Sequence, residues 1–163
     1  DVTGVQTCAL PISLPWLERI LRSKLPSCIT VEITEGVLVS DAGQVSRCLG
    51  ALHEAGARVS IDDFGTGFSS LAYLKHFDVD YLKIDKSFID QLADDDGDKA
   101  LTEAIVGLAH RLGIEVIAEG VETAAQRDLL AAFGCDYVQG WFHAKALPRD
   151  AFEDYFERHM ALS

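Results

Sequence analysis

Only four cysteines occur in the 163 residues, Cys8, Cys28, Cys48 and Cys135, and no two form a Cys-x-x-Cys pair. That spacing excludes the usual structural zinc sites and offers no disulfide framework, so the thiols are read as reduced, in a cytoplasmic protein. Basic residues are scarce too, with 14 lysines and arginines against 26 aspartates and glutamates, a net charge of −12. So acidic a surface does not attract a DNA or RNA polymer or an anionic membrane, and an anionic ligand would need cations between it and the protein. No apolar run approaches the roughly 20 residues that cross a bilayer, which predicts no membrane contact by this segment and leaves tethering of a longer parent open. The five histidines form no His-x-x-x-His pair, again against zinc. What is present is core-forming material: 48% of the residues are hydrophobic, enough for one compact domain or a piece of a larger one.

The opening stretch DVTGVQTCALPIS stands apart. It has neither strand alternation nor helical spacing, and it lacks the basic start and apolar run of a secretory signal. The run VTGVQTCALPI is the translation of a common short-read library adaptor, so residues 1–12 are expected to be non-native and residues 13–163 to be natural protein. From Leu14 onward, short β-rich runs alternate with amphipathic ones. The pattern predicts a helix over 14–25, then strand ITVEI and a helix over 41–56 carrying Val45, Leu49 and Leu52 on one stripe. Strand RVSIDD, helix SSLAYLKHF, strand DYLKID, helix DKALTEAIVGLAHRLG, strand EVIAE, helix TAAQRDLLAAFG, strand DYVQG and a helix over 148–160 follow.

Such alternation implies a parallel sheet covered by helices. Strand parity selects among such folds. If Val31, Ile33, Val59, Ile61, Leu82, Ile84, Val116 and Ala118 face the helices, the opposite face carries Glu32, Ser60, Asp62, Lys83, Asp85 and Glu119. An open doubly wound sheet would be apolar on both faces, whereas a barrel gathers polar residues at the C-terminal ends of its strands. The expected fold class is therefore α/β, an incomplete (β/α)8 TIM-type barrel with about five βα units. Its edges and inner face would be unpaired, which predicts marginal stability.

The densest motif is IDDFGTGFSSL, residues 61–71. Adjacent Asp62 and Asp63 at a strand end repel unless cations lie between them, which suggests a divalent-metal site with hard oxygen ligands; an acidic capping turn is the plainer reading of this loop alone. Glu32, Lys83 with Asp85, Glu119 and Gln139 end the other strands. Together they suit metal-assisted phosphodiester hydrolysis.

The runs VEITEG, IDDFGTGFSSL, YLKIDKSFI, IAEGVET and YVQGW, in this order, resemble the EAL family of cyclic-di-GMP-specific phosphodiesterases over about residues 13–160. The resemblance implies a modified (β/α)8 barrel that hydrolyses cyclic di-GMP to linear pGpG with Mg2+ or Mn2+. It also implies that Glu32 and Asp62 bind metal, with Asp62 bridging to a second cation served by Asp63. Lys83 and Asp85 would position the attacking water and the metals, Glu119 would be a general base or further ligand, and Gln139 would meet substrate. Glu35 would organise the loop after Asp62, a role tied in the family to homodimerisation. Two family ligands, the Glu of Glu-Ala-Leu and an Asn on the next strand, have no counterpart here, and Gly36 replaces a small polar residue. The expectation is an active parent and an inactive fragment. The alternative is a degenerate EAL module that binds cyclic di-GMP or a protein without turnover.

Weaker signals remain. ADDDGDKALTE places Asp94, Asp96 and Glu103 at calcium-loop positions around Gly97, but Leu92 stands where the first carboxylate belongs, so an acidic helix start is the better reading. Trp141 and Phe142 could stack on a guanine or simply pack at the rim.

Overall fold

The computed structural model describes residues 29–40, 42–65 and 74–160. The segment 1–12, the helix expected over 14–25 and most of the one expected over 69–77 lie outside them. Five strands form one sheet: β1 (Thr30–Thr34), β2 (Arg58–Phe64), β3 (Tyr81–Ile84), β4 (Glu115–Glu119) and β5 (Tyr137–Gln139). The helices among the described residues are α1 (Glu35–Ser40), α2 (Ala42–Glu54), α3 (Lys86–Asp90), α4 (Asp96–Arg111), α5 (Ala124–Phe133) and α6 (Arg149–Met160).

Every strand pair is parallel, and the spatial order is β1-β2-β3-β4-β5, the same as the chain order. Crossovers between parallel strands are right-handed, so a monotonic order winds every crossover onto the same face. One face of the sheet is then packed by helices and the other is left to curl inward, which is the barrel-type arrangement and not the doubly wound one.

The core lies between strands and helices where parity puts it. Val59, Ile61, Leu82, Ile84, Val116 and Ala118 are all buried, and α2 adds Val45, Leu49 and Leu52 from its predicted stripe. Helix α5 starts with a full capping box: the Thr123 side chain accepts from Gln126 N, and the Gln126 side chain accepts from Thr123 N. The acidic run before α4 is a helix start, with Asp95 as N-cap accepting from Asp98 N and Leu92 wholly buried. Helices α1 and α3 were not expected; at 6 and 5 residues they are too short for a 3.6-residue period to show.

One irregularity matters. Ile61 pairs with Leu82 and Phe64 with Ile84, so Asp62 and Asp63 together oppose Lys83 in a β-bulge. Asp63 takes the extra place at φ +54, a left-handed conformation that Asp tolerates better than most residues. The bulge turns Phe64 back into the core, where it is 4% exposed.

At the opposite end of the strands, the same polar clamp occurs twice. Asp80, just before β3, accepts from Val59 N at 2.7 Å and lies 2.8 Å from His53 Nε2 of α2. Asp136, just before β5, accepts from Val116 N at 2.7 Å and lies 2.8 Å from His110 Nε2 of α4. Each clamp ties a helix end, the strand after it and the start of the next strand.

Candidate active site

The C-terminal ends of β1 to β4 converge on Lys83. Its side chain is 5% exposed, and Nζ lies 2.7 Å from Glu119 Oε1, 2.8 Å from Asp62 Oδ1 and 2.9 Å from Glu32 Oε1. Parity explains the meeting, since all four residues occupy the face of the sheet away from the helices. Burial by itself would lower the Lys83 pKa, but Asp62, Glu119 and Glu32 outweigh it and hold the ammonium group charged well above the usual lysine range.

Only the contact with Glu32 has hydrogen-bond geometry among these three. Asp62 Oδ1 meets the ammonium as an ion pair but off the bonding direction, so it is a buried oxygen with no hydrogen-bond partner. Ser60 Oγ, one turn of the pleat below on β2, is buried without a partner as well.

One ligand oxygen each from Asp62, Asp63 and Glu119 lie within 4.8 Å of one another. Three hard oxygen donors so close fit a divalent cation such as Mg2+, Mn2+ or Ca2+. Two of the carboxyls hold their protons more tightly than usual, chiefly because they are desolvated. Glu119 is raised first by burial and then by Asp62 and Glu32, against the pull of Lys83. Asp63 is raised by desolvation and then by Asp62 and Asp85.

The other expected residues fall around this group. Glu32 joins through Lys83 and stands outside the three-carboxylate set. Asp85 caps α3, accepting from Ser87 N at 3.0 Å and from Ser87 Oγ at 2.5 Å through Oδ1. Gln139 pairs in register with Glu119 and is exposed at the rim. Glu35 is buried and accepts a 3.1 Å hydrogen bond from Gly65 N, the turn immediately after the bulge. Gly65 itself has φ +98, and a Cβ there would lie 2.7 Å from the Phe88 ring, so only glycine fits. Trp141 is 62% exposed with the Lys145 ammonium over its ring.

Sequence reasoning passed over Gln126. It is buried, accepts from Glu122 N and Thr123 N at 2.9 Å each, and donates from Nε2 to Ile89 O at 2.9 Å. The signal was present as Thr123-x-x-Gln126, a capping-box spacing.

A sequence profile described as the EAL domain matches residues 4–146. The chain belongs to the EAL domain family. Its relatives include the signaling protein YkoW of Bacillus subtilis, 46% identical over 130 residues, which are 80% of this chain and 16% of that protein. They also include the bifunctional diguanylate cyclase/cyclic di-GMP phosphodiesterase MucR of Pseudomonas aeruginosa, 43% identical over 132 residues, 80% of this chain and 19% of that protein. Among solved structures, the MucR phosphodiesterase in complex with c-di-GMP superposes with a TM-score of 0.74 at 42% identity, covering 78% of this chain and 51% of that one. A manganese/cy-diGMP complex of Klebsiella pneumoniae BlrP1 gives a TM-score of 0.75 at 29% identity, over 82% of this chain and 36% of that one. This EAL chain thus has the α/β, TIM-barrel-like architecture of its relatives and spans about half or less of the length of each protein named. Among the described residues, no helix is long and apolar enough to cross a membrane.

Proposed function

We propose that this chain is the C-terminal part of an EAL domain that hydrolyses cyclic di-GMP to linear pGpG with Mg2+ or Mn2+ in the cytoplasm. The observation that carries the reading is the convergence of Asp62, Asp63 and Glu119 oxygens beside the buried ammonium of Lys83.

Asp62, Asp63 and Glu119 would hold cations, with Glu32 and Asp85 as further ligands and Asp62 serving two cations at once. When bound, the cations lower the pKa of water and neutralise phosphate charge. The protein's own groups do the rest. Lys83, permanently charged, stabilises negative charge developing on the phosphate. Where Glu119 is not itself holding a cation, it stands beside Lys83 as the general base for the attacking water. Gln139 offers amide donors to the substrate from the rim. Glu35 fixes the turn at Gly65 and through it the bulge that presents both aspartates. The loop beyond Gly65 would also carry a homodimer contact, which sedimentation at rising concentration tests.

The sequence contains no Glu-Ala-Leu, so the 163-residue chain alone is inactive and the completed domain active. Supplying the missing part from the MucR relative and assaying pGpG release with Mg2+ or Mn2+ tests this. A chimera that folds and hydrolyses cyclic di-GMP is expected; one that folds and binds it without turnover would establish the degenerate binding module instead.

A further inference from the structure

Two of the loops that carry candidate site residues are joined to each other by side chains that touch neither metal ligand nor substrate. The loop after β3 begins with Asp85 and continues as α3 to Asp90. The loop after β4 begins at Glu119 and runs through Gly120, Glu122 and Thr123 into α5. Gln126 belongs to the second loop's helix and reaches into the first: its Oε1 gathers the amides of Glu122 and Thr123, and its Nε2 donates to Ile89 O. Ile89 is fully buried and Gln126 is 6% exposed, so water cannot readily substitute for this bond.

A second tie closes the ring. Lys86, the residue after Asp85, donates from Nζ to Glu122 at 2.9 Å. Its stem lies across Gly120, where a Cβ would come within 2.4 Å of Lys86 Cγ. The exits of β3 and β4 are therefore bound together at two points just beyond Glu119.

We propose that Gln126 is a positioning residue for the cation site, acting by holding the Glu119 loop against α3 so that Glu119 stays within reach of Asp62 and Asp63. The proposal rests on the metal reading given under Proposed function. Capping and stitching are separable because they use different atoms of one amide. Gln126→Glu keeps an oxygen for the Glu122 and Thr123 amides but loses the donor to Ile89. Thr123→Ala removes the hydroxyl of the capping box and leaves the stitch intact.

The test is Mn2+ titration of the 163-residue chain, followed by the EPR signal of free Mn2+, beside thermal melts without metal. Positioning predicts that Q126E binds Mn2+ about 10-fold more weakly, as expected when a supporting hydrogen bond behind a ligand is lost. T123A should melt lower than the unsubstituted chain and yet bind Mn2+ as it does. Affinities that simply follow the melting temperatures, or a Q126E with unaltered affinity, would overturn the positioning role and leave the cation site standing. Should the unsubstituted chain take up no Mn2+, the same titration is made on the MucR-completed chimera; a chimera that folds and also takes up none would overturn the metal reading itself and this inference with it. Should Q126E fail to fold, Lys86→Met cuts the exposed tie to Glu122; a several-fold loss of Mn2+ affinity is expected, and no change refutes the proposal.

Discussion

At the scale of single residues, the carboxyls around Lys83 hold the readable chemistry. Glu119 has a raised pKa in the fold, so its stabilising effect is present while it is protonated and is lost as the pH rises through that folded value. Once ionised in the fold, the group is therefore a net cost. Glu119→Gln mimics the protonated form, so it should melt higher than the unsubstituted chain at pH 7, with the gap closing as the pH falls into the ordinary carboxylate range. Mn2+ should reverse the order, since cations stabilise only the chain that keeps its ligand; melts at two pH values with and without Mn2+ check both statements. Gly65→Ala is expected to cost about 1–3 kcal/mol, because φ +98 strains any L side chain and the new Cβ meets the Phe88 ring at 2.7 Å. Urea unfolding measures it. Most of these residues could be found in the sequence because strand parity alone aligns Glu32, Asp62, Lys83 and Glu119. The reach of Lys83 into all three carboxylates could not, since it depends on how far the sheet curls.

Between residues and the molecule stand the elements, and here length decided what the sequence disclosed. Strands β1 to β5 and helices α2, α4, α5 and α6 repeat their pattern often enough to be recognised. The 6-residue α1 and 5-residue α3 do not. The bulge in β2 was hidden for another reason: alternation assigns Asp62 and Asp63 to opposite faces, and only pairing against β3 reveals that the two together oppose Lys83. The clamps were hidden because their partners are distant in sequence, although His53, Gly56, Val59 and Asp80 recur in the same order as His110, Gly113, Val116 and Asp136. Asp136 has a lowered pKa; desolvation opposes the shift, but Val116 N and His110 override it. Its contribution is present above the ordinary carboxylate range and disappears as the pH falls through the lowered folded value. Asp136→Asn should thus lose about 1 kcal/mol at pH 7, the worth of one ordinary hydrogen bond, and nothing in strong acid. Chemical denaturation across that pH range is the measurement.

At the scale of the whole molecule, the monotonic strand order leaves β1 and β5 each bonded on one side among the described residues, and the inner face lined with charge. Exposed Tyr137 and Trp141 lie on or just after β5. The isolated chain should accordingly melt broadly and below the ~45–65 °C typical of mesophilic domains. A steep transition by circular dichroism above that range would contradict this. The two clamps impose a division on how such a molecule comes apart. One fastens α2, β2 and the start of β3; the other fastens α4, β4 and the start of β5, and no residue belongs to both. Breathing of the chain should then proceed in two blocks, so that amide exchange would fall into two protection classes, with the amides of Val59 and Val116 the last to exchange in their respective blocks.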